Sequence, residues 1–206
     1  MTGAAVSAVV DVSRETIERM AIHHRLLEQW NPRINLVSRT SLAEAWHRHF
    51  ADSAQLWRFR PPDARRWLDL GSGAGFPGLV IAAIAAERAP GLHIRLVESD
   101  QRKAVFLRAV IHAANLSATV HDMRVEALPP LAADVVSARA LARLPTLLGF
   151  AQKHRAAAGI CLFPKGETVH NEIAEARRDW RFDAVLHPSL TDPRAAIVEI
   201  GALYSA

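Results

Sequence analysis

A single cysteine, Cys161, occurs in the 206 residues. One thiol excludes an intrachain disulfide and a cysteine-based zinc site. Lysine is nearly as scarce: of 25 basic residues only Lys103, Lys153 and Lys165 are lysine, and the rest are arginine. Aromatic residues make up 6% of the chain, so its core must be built from aliphatic side chains and alanine. No apolar run is longer than Leu79–Ala86, eight residues, whereas a membrane-spanning helix needs about 20. The first ten residues lack a basic n-region and a secretory h-region, so no signal peptide is expected and the chain should be soluble and cytoplasmic.

Half of the residues are hydrophobic, and the formal net charge is +4. The length suits one domain, or one domain with an appendage. A small arginine-rich excess permits a nucleic-acid partner, because the guanidinium fork matches phosphates and base edges.

Residues up to about 60 show helical periodicity. Ser13 opens a helix with Ile17, Met20, Ala21, Leu27 and Trp30 on its apolar side, and Asn31-Pro32 should break it. Asn35–Ser38 reads as an extended link. Ser41, with Glu44 three residues on, should cap a second helix through Trp57. Beyond Pro61-Pro62 the chain alternates. Strands are expected at Arg66–Leu70, His93–Glu98, Ala118–His121, Asp134–Ser137 and Gly159–Phe163. Helices are expected at Pro77–Arg88, Gln101–Ala114, Leu144–Arg155 and Glu167–Arg177. Such alternation predicts an α/β fold, a doubly wound, mostly parallel sheet with helices on both faces. Asp183–Leu186 and Ala196–Ile200 would close it as a terminal hairpin. Ligands of such sheets lie beyond the carboxyl ends of the strands.

The first of those ends is the most informative stretch. Trp67–Gly78 reads W-L-D-L-G-S-G-A-G-F-P-G: a strand, a glycine-dense turn, then a helix start. Glycine lets backbone approach a flat polar cofactor closely. Asp69, two residues before Gly71, suits the positively charged tail of S-adenosylmethionine better than a pyrophosphate. Gly73-Ala74-Gly75-Phe76-Pro77-Gly78 also fits G-x-G-x-x-G, so an NAD(P)-dependent oxidoreductase, or a turn with no cofactor, stays open on the residues alone. The other strand ends supply Glu98, placed for ribose hydroxyls; Arg124-Val125-Glu126, placed to frame an adenine; Ser137-Ala138-Arg139-Ala140; and Pro164-Lys165-Gly166.

For a methyl-transfer reaction, the acceptor follows from what is missing. The site after the fourth strand reads Ser-Ala-Arg-Ala, without the Asn/Asp-Pro-Pro-aromatic tetrad used on exocyclic amines. Cys161 lies in an apolar strand, the wrong setting for the thiolate that attack on pyrimidine carbon requires. A ring nitrogen such as guanine N7 carries a free lone pair and needs neither device; positioning is enough. Arg139 should stand where cofactor ends and substrate begins, and bind a phosphate or guanine O6.

These motifs, in order, make the chain resemble the RsmG (GidB) family of bacterial 16S rRNA guanine-N7 methyltransferases. The matching stretches are Trp30-Asn31 with Asn35-Leu36, His49-Phe50-Ala51-Asp52-Ser53, Asp69–Gly78, Glu98-Ser99 with Lys103, Arg124-Val125-Glu126, Ser137–Ala140 and Lys165-Gly166. The resemblance implies a Rossmann-like class I methyltransferase with a seven-stranded sheet: an N-terminal helical extension over 1–62 and an S-adenosyl-L-methionine-binding core over 63–206. It implies methylation of one guanine in the 530 loop of 16S rRNA, with the 30S subunit as partner. Cofactor contacts would fall on Asp69, Gly71, Gly73, Gly75, Phe76, Glu98, Val125, Glu126 and Arg139. Substrate contacts would fall on Arg139, Lys165 and Arg124. The chain departs from the family at its end, which has no basic residue after Arg194. An inactive RNA-binding module with the same fold is the remaining alternative.

His49 and Asp52 would share a helix face and orient each other, or dock the N-terminal helices on the sheet. They are too few for a metal site, and no metal or membrane partner is expected. Arg33, Arg39, Arg48 and Arg143 would join Arg124, Arg139 and Lys165 in a basic rim. Nothing calls for an oligomer, so a monomer is expected.

Overall fold

The alternation of strand and helix after residue 65 builds one seven-stranded sheet in the computed structural model, which describes residues 3–206. The strands are β1 (Arg66–Leu70), β2 (His93–Val97), β3 (Ala118–His121), β4 (Ala133–Ala138), β5 (Arg155–Lys165), β6 (Trp180–Pro188) and β7 (Ala196–Ser205), in the order β3-β2-β1-β4-β5-β7-β6. β1 to β5 are parallel, and β7 is antiparallel to both its neighbours. The order reverses between β1 and β4. The glycine turn therefore leaves the sheet at its switch point, where an open α/β sheet leaves a crevice.

Trp67 buries on one face, and Leu68 and Leu70 on the other. The first face packs α5 (Gly78–Arg88) and α6 (Gln101–Ala113), and α2 (Arg14–Ile34), which follows the one-turn α1 (Ala4–Ser7), covers both. Gly78 through Ala85 are buried without exception, because α5 lies between sheet and α2. The second face packs α7 (Leu144–His154) and α8 (Val169–Ala176). Among the described residues no helix is long and apolar enough to cross a membrane.

Several local expectations are corrected. α2 does not break at Asn31-Pro32 but runs through Pro32 to Ile34. Proline there removes a single N–H within the last turn. The helix ends at Asn35, which is left-handed at φ 49°, and Asn31 pins the returning chain through two bonds to Val37. Ser38, not Ser41, is the next N-cap, accepting from the Ser41 N–H. The single helix expected through Trp57 is instead α3 (Arg39–Ala43), a π-helical turn over Trp46–Ala51, α4 (Asp52–Ala54) and a 3-10 turn over Gln55–Phe59. β5 starts at Arg155 and β6 spans nine residues, both longer than expected. β6 is an edge strand with half-exposed alternation, so its apolar signal is weak.

Candidate functional site

Asp69 is fully buried at the end of β1, and burial pushes its carboxyl up to about 6. Its Oδ1 accepts from the Ser137 hydroxyl at 2.8 Å and its Oδ2 from the Gly78 N–H at 3.2 Å. The indole of Trp67 in turn donates to Ser137 at 2.8 Å. Asp69 thus fastens the start of α5 to β1 and β4. It does not line the cavity above the turn, and its hydrogen bonds give it a bracing role. Its neighbours in the sheet leave both oxygens pointing inward.

The turn itself is built on Gly71, Gly73 and Gly75, at φ 64°, 54° and 89°. Gly71 and Gly73 line the cavity; Gly75 does not, because it faces Leu79 and His23. From β2, Glu98 Oε2 accepts from the Gly73 N–H at 2.9 Å, while Oε1 accepts from the Asp100 N–H at 2.8 Å. Glu98 is 8% exposed and faces the cavity, with lone pairs left for further donors.

That cavity, of about 770 Å³, collects Gly71, Gly73, Phe76, Glu98, Val125, Glu126 and Arg139, with Arg124 at its edge. A second cavity, of about 1130 Å³, lies beside it and is lined by Trp46, Arg48, Asp52, Arg143, Pro164 and Lys165, among others. Both share Arg48 and Arg139–Ala142, so the segment after β4 is the partition between them. Ala140 holds a left-handed φ of 54° there, an uncommon conformation for a residue with a Cβ.

Arg139 is anchored at the partition on four sides. It donates to the Arg48 carbonyl at 3.1 Å, to Asp52 Oδ2 at 3.2 Å and to His49 Nδ1 at 2.9 Å, and its guanidinium lies 5.1 Å from the Phe76 ring centre. Since arginine only donates, His49 Nδ1 must accept, and the ring is the neutral Nε2–H tautomer. Burial, reinforced by Arg139 and Arg48 nearby, holds His49 down at about 3. Its Nε2 is buried without a partner. His49 and Asp52 do not bond each other as expected; both grip Arg139.

Behind Phe76 stands His23, a residue the sequence reading left without a role. It donates to the Ala74 carbonyl at 2.8 Å and stacks on Phe76 at 4.9 Å, while Phe76 stacks on His49 at 5.0 Å. Burial keeps His23 neutral, lowered to about 4. The signal was present: a polar residue between Met20 and Leu27 on the apolar stripe of α2. Ser137, hidden in an apolar strand, gave no such signal.

The basic rim is largely neutralised. Lys165 is buried, donating to Glu172 at 2.8 Å and to the Ala142 carbonyl at 2.9 Å. Lys165 is thus a wall of the second cavity and pairs with Glu172 there. Arg143 pairs with Glu175, and Arg48 with Glu44. Arg33 and Arg39 line neither cavity. Arg124 opens on the first cavity only, away from the expected substrate side. Trp46 stacks on Phe50 at 4.7 Å and also lines the second cavity. Cys161 is buried, with its thiol pushed up to about 12, so it supplies no nucleophile.

Comparison with known proteins fits this geometry. The fold is shared with an O-methyltransferase from Bacillus cereus crystallised with SAH (TM-score 0.62, 15% identity, 97% of this chain and 96% of that one). It is also shared with a SAM-dependent methyltransferase from Aquifex aeolicus (TM-score 0.56, 11% identity, 72% and 88%). In sequence, the chain is 50% identical over 198 residues to the ribosomal RNA small subunit methyltransferase G of Cereibacter sphaeroides ATCC 17025, covering 96% of this chain and 95% of that protein. A protein of the same name from Parvibaculum lavamentivorans is also 50% identical, over 96% of this chain and 88% of its own. The GidB family, described as rRNA small subunit methyltransferase G, matches residues 16–197. The crevice at the switch point of this sheet, with its glycine turn and its arginine partition, is thus that of a chain belonging to the GidB family of small-subunit rRNA methyltransferases.

Proposed function

We propose that the protein transfers a methyl group from S-adenosyl-L-methionine to N7 of a guanine in the 530 loop of 16S rRNA. The first cavity takes the methyl donor and the second the acceptor base. The observation that carries this reading is the pair of cavities meeting at Arg139 beyond the carboxyl ends of β1, β2 and β4.

The residues of the first cavity fit the donor. Gly71 and Gly73 leave bare backbone, Glu98 offers a carboxylate at 8% exposure for hydroxyl groups, and Phe76 and Val125 give apolar walls. When bound there, S-adenosylmethionine supplies an electrophilic methyl group on sulfur. The protein's own part is to orient and to exclude water. Arg139 offers guanidinium donors to guanine O6 or to a phosphate while leaving N7 free. No general base is needed, because N7 of neutral guanine carries no proton. Among the described residues His49 is neutral and already bonded to Arg139, so it does not serve as one.

Near-complete pairing of the cations around the second cavity suits a neutral base more than a phosphate. A flipped guanine would lie against Trp46, Pro164 and Leu141, which line it. On this reading the chain works as a monomer in the cytoplasm, with residues 1–62 as an extension that completes the acceptor side.

Calorimetry with S-adenosylhomocysteine tests the donor half. Tight binding by the native chain is expected, with at least a tenfold loss in Glu98→Ala and no heat with NADH. Binding of NADH in preference to S-adenosylhomocysteine would overturn the assignment.

A further inference from the structure

Asp52 sits where the π-helical turn passes into α4, and its two oxygens do different things. Oδ2 accepts from Arg139 Nη1 at 3.2 Å. Oδ1 accepts from the Thr191 hydroxyl at 2.9 Å and from Gln55 Nε2 at 2.9 Å. Thr191 belongs to the β6–β7 loop, and that loop is fastened to the same helical segment a second time, by the Leu190 N–H donating to Gln55 Oε1 at 2.9 Å. The Asp52 and Arg139 side chains are 17% and 19% exposed, so the pair is shielded from bulk water. A shielded pair holds its geometry better than a surface one.

We infer that Asp52 is a positioning residue for methyl transfer: it aims the Arg139 guanidinium at the partition and ties that aim to the β6–β7 loop. The inference rests on the reading of the two cavities as donor and acceptor sites. It follows from the way the other anchors act. The Arg48 carbonyl and His49 Nδ1 fix two further points of the guanidinium, but both come from the π-helical turn. Asp52 alone among the three connects Arg139 to an element on the far side of the second cavity, where Thr191, Asp192 and Arg194 form the wall. A group that must meet an acceptor base with its donors in line gains from being held on both sides. The spacing in the sequence makes this possible. One extra residue in the π-helical turn brings His49 and Asp52 round the same guanidinium rather than onto each other.

Substitution can cut the two links separately. Asp52→Asn retains an oxygen for Thr191 and Gln55 but presents an amide donor to Arg139, which has only donors to offer. Thr191→Val removes the loop link and leaves the ion pair. The test is a double-mutant cycle on single-turnover methylation of 30S particles that lack the modification, with Arg139→Ala as the second mutation. Expected are a 10- to 100-fold slower reaction in Asp52→Asn, a melting temperature close to that of the native chain, and no further loss when Asp52→Asn is added to Arg139→Ala. Thr191→Val should slow the reaction by less, about threefold to tenfold. If Asp52→Asn costs as much in the Arg139→Ala background as in the native one, its effect does not pass through Arg139 and the inference fails. A native rate in Asp52→Asn also sinks it. A native rate in Arg139→Ala refutes instead the reading of the partition. Should Asp52→Asn not fold, Asp52→Glu enters the same cycle, since one added methylene displaces the carboxylate while keeping its charge.

Discussion

At the scale of single residues, the site depends on groups kept in the protonation state that their surroundings require. His23 and His49 are buried and neutral, held down at about 4 and about 3. In the unfolded chain both titrate near 6.5. Below that value the unfolded state takes up protons that the folded state refuses, so stability falls as pH drops from 6.5 toward 4 and is complete above 6.5. Each such histidine contributes a slope of about 1.4 kcal/mol per pH unit. Asp69 acts oppositely: its folded carboxyl, at about 6, binds a proton before the unfolded one does, and this gains stability as pH falls from 6 toward 3.8. Two histidines outweigh one aspartate, so the melting temperature should drop on acidification from pH 7 to pH 4.5. His23→Gln, whose amide can still donate to the Ala74 carbonyl, should make that drop shallower by roughly one proton's slope. An unchanged slope in urea unfolding at the two pH values would show that His23 is not buried neutral.

At the scale of elements, the glycine turn separates folding from binding within a few residues. At Gly78 a Cβ would collide with Leu96 and with Asp69, because α5 starts directly against β1 and β2. Gly78→Ala should therefore lower stability by about 1–3 kcal/mol, the usual cost of overpacking. At Gly73 the nearest atom to a Cβ is the Gly71 carbonyl oxygen at 3.9 Å, so only the positive φ resists, at about 1–2 kcal/mol. Yet Gly73 lines the first cavity, where the proposed function puts the methyl donor. Gly73→Ala should fold, and lose at least tenfold in affinity for S-adenosylhomocysteine. Equal losses of affinity per unit of lost stability in the two variants would argue against the division.

The same elements show what could be read in the sequence. The central strands, α5 to α8 and the glycine turn carried strong periodic and glycine signals, and Glu98, Val125, Glu126 and Arg139 fall in the cavity where the strand-end rule puts them. The N-terminal helices were less legible. Proline near a helix end reads as a stop, although α2 tolerates it, and a π-helical turn has no signature in a 3.6-residue pattern. The bonds of Asp69 to Ser137 and Gly78 were not legible, because spacing locates a residue along the chain but not the face to which its carboxylate turns. The pairing of Lys165 was not legible either, because its partner Glu172 comes from a helix, seven residues on.

At the scale of the molecule, the N-terminal helices supply one wall of the second cavity. α2 and the π-helical turn share the core of α5 and α6 through Met20, Leu27 and Phe50, so the grip on Arg139 is as firm as that core. With most cations near the cavities paired, the proposed function leaves phosphate contacts to exposed arginines such as Arg33, Arg39 and Arg124, and to the net charge of +4. Affinity for 30S particles should then weaken as salt rises from 50 to 200 mM, and Arg124→Ala should flatten that dependence by about one unit of log–log slope. A filter-binding titration over that range checks it; an identical slope in the variant would remove Arg124 from the RNA contact.

The most direct measurement combines both cavities. Native protein is incubated with S-adenosylmethionine carrying a tritiated methyl group and with 30S particles that lack the modification, and the label is mapped on the 16S rRNA. The proposed function predicts one labelled guanine in the 530 loop, methylated at N7 and therefore cleavable by reduction and aniline, with label lost in Arg139→Ala. Label on any other atom or any other loop, or none at all, would contradict it.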